Sequence, residues 1–415
     1  MQYFPLLPDA TSRNQTIGNP ENAISWSAAE ENGLTLVELL VSLVVVGLLA
    51  TAIFSFFLNT SQSVNQQSAN GEMWQRGRNA LTIMRQAIES AGYGLPSYSQ
   101  CPNGIVGINS TGTQAGALVA ITASVQSAGS SYDPSSTSLG GISTYQFQTV
   151  IGGGSFGGAP ATTVQNHPGK SSGLFVSNTA PLDPGDLALI APQGGGTCLL
   201  GQITNVVGKG TVNTDCNGYT GKGELKSDGH IEFNSGSHGN CFQANPTQIF
   251  SLLTGTAESP SLSGANLYDL GSQSFLFAQF SIQENPAGST PTLYMTQYTG
   301  LQATPPTPQA LATGVVDIQM QYGIGSNGSV QSWVSPENFT PSATQSIVAV
   351  QLAMLIRSTQ YLPNSLSPAT FSILGNTYKV PTTGGPGCLQ GNCRHYEYHL
   401  FQTVIPVRNG IWGSE

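Results

Sequence analysis

The chain has 415 residues, a formal net charge of −9 and only 8% charged side chains, against roughly 25% in ordinary soluble domains. Bases are few and unclustered, so nucleic-acid binding has no electrostatic footing. The 50 glycines and 25 prolines favour many short strands over long helices, and the length allows one large domain or two smaller ones. Ser, Thr, Asn, Gln and Gly take the place of the missing charge, which leaves a wet surface that titrates little. We take an acidic surrounding medium as a hypothesis from this. Stability that stays flat down to low pH supports it, and acid unfolding in the carboxylate range counts against it.

The first clear element is the apolar run Leu34–Leu58, LTLVELLVSLVVVGLLATAIFSFFL. A run of about 18 or more apolar residues can cross a bilayer as a helix. This one is too long and uninterrupted for a secretory signal core. Its A-x-A match, Ala50-Thr51-Ala52, lies inside the run rather than after it, so the segment is expected to stay in the mature protein. Its single charge is Glu38. A carboxylate within a membrane span costs about 2.5–3.5 kcal/mol on insertion scales. No Lys, Arg or His lies between Leu34 and Leu58. The partner is therefore expected from another chain, from lipid headgroups, or from a new α-amino group created by cleavage before Leu34.

Gly33-Leu34-Thr35-Leu36-Val37-Glu38-Leu39-Leu40-Val41 resembles the processing motif of type IV prepilins and type II secretion pseudopilins. The resemblance implies a leader peptide over 1–33, cleavage after Gly33 by prepilin peptidase and N-methylation of Leu34. It also implies that Glu38 pairs with the N-terminal amine of a neighbouring subunit during filament assembly. Gly47 falls where many pilins carry a helix-softening glycine. Residues 34–58 are then the membrane-spanning and filament-core helix.

From Asn59 to about Ala91 the sequence turns polar without a proline. Trp74, Leu81, Met84, Ile88 and Ala91 recur at spacings of seven, three, four and three, which predicts one apolar helical face. Gly92, Gly94 and Pro96 end the pattern. Residues 59–92 are thus expected to continue the helix and lay this stripe on a globular head.

Residues 93–415 read as an extracytoplasmic, β-rich head, so the fold class is α+β. Strands are expected at Ala117–Val125, Thr144–Ile151, Leu174–Val176, Leu187–Ile190, Leu199–Val207, Phe275–Ile282, Leu293–Tyr298, Val315–Tyr322, Ile347–Ile356, Phe371–Ile373 and Tyr396–Val407. Val316, Ile318, Met320 and Tyr322 are expected on one face. Ser346–Ser358 is more continuously apolar and is expected at the centre of a sheet. Gly314–Tyr322 followed by Ile347–Arg357, and Arg394-His395-Tyr396 leading to Gln402–Asn409, resemble PilW-type minor pilins. A head this large suits a low-copy or tip subunit better than a repeated shaft subunit.

Cys101, Cys198, Cys216, Cys241, Cys388 and Cys393 all follow the apolar run. Their even number fits disulfides on the oxidising side of a membrane. The short loop Cys388–Cys393 is the first expected pair and Cys216–Cys241 the second.

Other chemistry finds little support. Gly152–Gly157 matches GxGxxG, but no helical pattern follows it to present amides to a phosphate, so a loop is expected. Asp228, His230, Glu232, His238 and Cys241 share a polar loop without a known ligand spacing. His395, Glu397 and His399 would share a strand face, with the two imidazoles about 13 Å apart at ~3.3 Å per residue, too far for one ion. Neither an enzyme motif nor a cofactor site emerges. The reading is a non-enzymatic minor pilin, first in a bacterial inner membrane and then at the cell surface, whose partners are other pilins. The alternatives are a type II secretion pseudopilin and an adhesin or ligand-binding head on a pilin stalk.

Overall fold

The computed structural model describes residues 35–96, 100–101, 105–107, 120–126, 142–153, 159–166, 173–196, 198–203, 205–206, 229–232, 262–271, 276–284, 289–299, 307–326, 328–340, 346–382 and 392–408. The chain divides into two compact units, Met1–Ser63 and Val64–Glu415.

One helix, α1 (Leu36–Glu89), opens the described chain. It stops where the glycines are. Gly92 and Gly94 take positive φ values of 79° and 76°, which side chains with a Cβ adopt only under strain. A Cβ at Gly94 would also lie 2.3 Å from the carbonyl oxygen of Gly152. The Gly92 amide donates to the Val150 carbonyl at 2.7 Å, so the turn ending the helix is sewn onto a strand.

Nineteen strands follow among the described residues. The first ten are β1 (Ile105–Gly107), β2 (Ile121–Val125), β3 (Tyr145–Ile151), β4 (Thr162–Asn166), β5 (Gly173–Val176), β6 (Leu187–Ala191), β7 (Cys198–Gln202), β8 (Asn205–Val206), β9 (His230–Glu232) and β10 (Asn266–Gly271). The others are β11 (Leu276–Gln283), β12 (Thr292–Thr299), β13 (Gln309–Thr313), β14 (Val315–Ser326), β15 (Ser329–Val334), β16 (Ser346–Arg357), β17 (Thr370–Ile373), β18 (Asn376–Lys379) and β19 (Tyr398–Pro406). They form an eight-stranded sheet in the order β1-β7-β6-β10-β4-β5-β9-β8 and a five-stranded sheet, β13-β12-β11-β3-β2. A four-stranded sheet, β15-β14-β16-β19, and the hairpin β17-β18 complete the set. All neighbours are antiparallel except β1 and β7. The α+β class expected from the sequence is what the chain adopts.

The five- and four-stranded sheets share one core with the second part of α1. Met73, Ala80, Met84 and Ile88 meet Phe147, Phe280, Ile318, Met320, Leu352 and Phe401 there. Phe147 and Phe280 stack with ring centroids 4.6 Å apart. Burying each large apolar side chain of this set contributes about 1.5–3 kcal/mol. β16 lies between β14 and β19, the central place its apolar run predicts. On β14 the expected face is broken at one residue. The register shifts between Val315 and Asp317, and this bulge turns Val316 toward Ile373, Tyr378 and Val380 on the other side, while Ile318, Met320 and Tyr322 keep the shared core.

The eight-stranded sheet has its own interior. β6 alternates: Ala188 and Ile190 face one cluster with Val164, Leu174 and Leu267. Leu187, Leu189 and Ala191 face another with Leu95, Val150 and Tyr268. Both faces being covered explains the continuous apolar LALIA sequence.

Candidate functional site

The start of α1 is a reciprocal cap. Thr35 precedes the first helical residue, and Glu38 is the third residue of the helix. The Thr35 amide and hydroxyl donate to Glu38 Oε2 at 3.1 and 3.2 Å, and the Glu38 amide donates to Thr35 Oγ1 at 3.4 Å. This is the T-x-x-E capping box, which satisfies amides that a helix start otherwise leaves bare. The negative group also sits at the positive end of the helix dipole. Glu38 thus has a hydrogen-bond partner in Thr35, in addition to the neighbouring chain, lipid headgroups or new α-amino group that its cost in a membrane suggested. The spacing signal was in the sequence, since [ST]-x-x-[DE] before an apolar run marks such a box. Both donors fall on Oε2, and the box brings no positive charge. Gly33 and Leu34 lie outside the described residues.

Beyond the cap the surface is oil. Every Leu, Val, Ile and Phe from Leu36 to Leu58 is exposed, between 45% and 79%. Polar atoms along this stretch are turned inward. Ser42, Thr51 and Ser55 donate their hydroxyls to the carbonyls of Leu39, Gly47 and Ala52 at 2.9, 2.5 and 2.9 Å. Such back-bonding hides donors from an apolar medium. The helix is long and apolar enough to cross a membrane by length and composition. A Cβ at Gly47 would meet nothing within 4 Å, so packing within the chain does not require glycine there.

From Val64 onward the same helix belongs to the head. Its buried seam is Met73, Ala80, Met84 and Ile88, with Ala91 following. Gly77 completes it, because a Cβ there would stand 2.2 Å from the Phe401 ring. The seam corrects the stripe expected from spacing. Trp74 is 40% exposed and sits beside it, its ring 3.8 Å from that of His399 and 5.3 Å from that of Phe401. Leu81 is half-buried at the margin. A small residue, Gly77, lets β19 come close, and the bulky indole is pushed to the rim. Polar ties flank the seam. Gln66 Nε2 donates to Glu397 Oε1 at 2.8 Å, and Arg76 reaches Thr313 Oγ1 at 2.6 Å. Glu89 accepts from Arg85 at 2.6 Å and Arg408 at 3.5 Å.

His395, Glu397 and His399 do not share a strand face. His395 belongs to a 3-10 turn over Cys393–His395, with Nδ1 2.8 Å from the Ser365 carbonyl. Glu397 faces Gln66 and Ser365, and His399 faces Trp74. Burial holds the His399 imidazole below its ordinary value. Among the described residues no cluster of His, Cys, Asp and Glu could hold a metal ion. His230 packs its ring 5.2 Å from Phe175 on β5. Asp228, His238 and Cys241 lie outside the described residues, as do Gly154–Gly157 of the glycine run. The Gly152 and Gly153 amides are engaged by Tyr93 and Leu270 carbonyls at 2.7 and 3.3 Å, not free to hold a phosphate.

Cys101 and Cys198 form a disulfide with sulfurs 2.02 Å apart across 97 residues of sequence. Cys393 is also disulfide-bonded, whereas Cys216, Cys241 and Cys388 lie outside the described residues. Among the described residues Asp317 is a fully buried carboxyl that sequence spacing does not single out. Asp317 accepts from Gln319 Nε2 at 3.0 and 3.2 Å, and burial pushes it up to about 7 against the pull of hydrogen bonds from Gln319, Thr144 and Ile318.

Two family models match the chain. Residues 279–409 match type IV pilus-assembly protein W, and residues 30–54 match the prokaryotic N-terminal methylation motif. The first spans β12 to β19 and most of β11; the second spans the cap and the first part of α1. Among curated proteins none matches, and none does among solved structures.

Proposed function

We propose that this chain, a type IV prepilin-like protein of the PilW type involved in pilus assembly, serves as a minor subunit that acts at assembly initiation or at the filament tip. The observation that carries the reading is the helix surface from Leu36 to Leu58. It is apolar on all sides, exposed, and stripped of free hydroxyl donors. Such a surface needs lipid or other helices around it. It dissolves in the inner membrane before assembly and packs among equivalent helices of other pilins afterwards. The head stands on the extracytoplasmic side, in keeping with its disulfides. Pilin-type families are structural, and the chain acts as a subunit rather than as an enzyme.

Prepilin peptidase cuts after Gly33, and Leu34 becomes the methylated first residue. The new amine then stands one residue before the capping box. Glu38 keeps Oε2 for its own helix start and offers Oε1 to the amine of a neighbouring subunit. A carboxylate has about four acceptor sites, so the two roles are compatible. The pairing neutralises two charges that are both costly in an apolar filament core. Gly47 supplies local give to the helix.

Mass spectrometry of the mature N-terminus tests the processing step. The expected product begins with N-methylated Leu34, and a mature protein that retains residues 1–33 refutes it. Glu38→Ala tests assembly. It should leave membrane insertion intact and remove the subunit from filaments, and wild-type incorporation would defeat the role given to Glu38.

A further inference from the structure

β3 ends at Ile151 and β11 begins at Leu276, and these two residues are direct partners across an antiparallel ladder. The ladder runs on through Val150–Phe277 to Phe147–Phe280. A two-strand hairpin therefore closes at this point, yet the chain leaves it and returns only after β4 to β10. Seven of the eight strands of the large sheet lie in this excursion. It has a core of its own, from Ala161 to Leu267, to which neither α1 nor the two smaller sheets contribute. Both family matches stop outside it: one ends at residue 54 and the other starts at 279.

We infer that residues 154–273 are a module inserted into a hairpin of a pilin-type head, and that filament assembly does not depend on it. The inference rests on the assembly reading above. The assembly parts form a continuous unit without it. α1, the five-stranded sheet and the four-stranded sheet share one core, and residues 151 and 276 are already positioned for a turn. Among the described residues the module meets that unit at an apolar seam, flanked by hydrogen bonds from the Gly153 amide to the Leu270 carbonyl and from the Tyr268 hydroxyl to Gln100 Oε1. Leu95, Val150 and the half-buried Phe277 meet Leu187, Leu189, Tyr268 and Leu270. β1 adds to the sheet in parallel beside β7, and the Cys101–Cys198 bridge fastens the same place. Such a seam holds a passenger in a fixed position without making it part of the carrier's core.

The test uses two variants of the full chain in the native filament system. In the first, residues 154–273 give way to a short Gly-Asn turn, with Cys101→Ser, Leu95→Ser, Val150→Thr and Phe277→Thr making the uncovered seam polar. The second keeps the module at full length and places charge on its exposed surface by Gln165→Arg and Ala180→Arg. Both variants should enter filaments within twofold of the unmodified chain. A shortened chain that accumulates in the membrane but falls more than tenfold in filaments overturns the inference. If the shortened chain is degraded, the charged variant decides: wild-type incorporation supports the inference, and a tenfold loss overturns it. Absence of the unmodified chain from filaments instead overturns the assembly reading, and this inference with it.

Discussion

The apolar segment and the head solve the same problem in opposite directions. From Leu36 to Leu58 the large apolar side chains all face outward. From Val64 onward the same helix hides Met73, Ala80, Met84 and Ile88 against strands of its own chain. The backbone is the same in both parts, and the spacing of apolar residues differs. A stripe can be covered by one partner surface, whereas an all-round coat needs partners on every side. Stability of the head is therefore written within the chain, and that of the apolar segment depends on its surroundings.

Paired substitutions sharpen this contrast. Met84→Ala should destabilise the head by about 2–5 kcal/mol, as large-to-small core changes do. Leu43→Ala, at an exposed site, should leave the urea midpoint of the detergent-solubilised head unchanged. An equal effect of the two would break the comparison.

The next effect belongs to the buried acid. Burial raises the Asp317 carboxyl in the fold to about 7, well above the ordinary aspartate range of about 4, so the folded state holds its proton more tightly than the unfolded chain does. Its contribution is complete below about pH 4 and is lost as pH rises through 7. Over that window head stability should fall by up to about 1.4 kcal/mol per pH unit. Asp317→Asn, which stays neutral, should remove this slope and raise the midpoint at pH 7.5. Midpoints measured at pH 4.5, 6 and 7.5 check it, and parallel profiles for the two proteins would count against it.

Glycines give a third pair. Gly77→Ala drives a Cβ into the Phe401 ring and should cost about 1–3 kcal/mol. Gly47→Ala meets open space and should favour the helix by roughly 1 kcal/mol, visible as slower amide exchange around residue 47 in detergent. The smallest effect is at the cap. Thr35→Ala should weaken the first turn by about 0.5–2 kcal/mol, read as faster exchange of the amides just after it, with the head's midpoint unmoved.

Legibility followed the range of the interactions. The membrane-length run, the processing motif and the glycine stop are local, and the sequence displays them directly. Strands with long Val, Ile and Leu content, such as β14 and β16, were equally plain. β13 and β15 were missed because exposed side chains interrupt any apolar pattern, two of five residues in β13 and five of six in β15, and they are strands chiefly by pairing with β12 and β14. β10 was missed because Tyr268 and Asp269 interrupt its apolar pattern, although both are buried. Trp74 fits the helical spacing, yet Gly77 admits the Phe401 ring and leaves the indole at the rim. The capping role of Glu38 was hidden by attention to its charge. The inserted module could not be seen at all, since only the ladder between residues 151 and 276 reveals where the hairpin resumes.

The sulfur bridge between Cys101 and Cys198 also settles where a mechanical load would travel. Suppose the outer part of the large sheet is tugged while the helix is held fast. Tension arriving at β7 crosses to Cys101, a short way past the end of α1, and bypasses the chain between them. The 97 residues in that loop would otherwise pay out about 320–350 Å of slack at ~3.3–3.6 Å per residue. With the bridge closed that length stays locked, and a reducing agent should release it as a longer rupture step in a single-molecule pull.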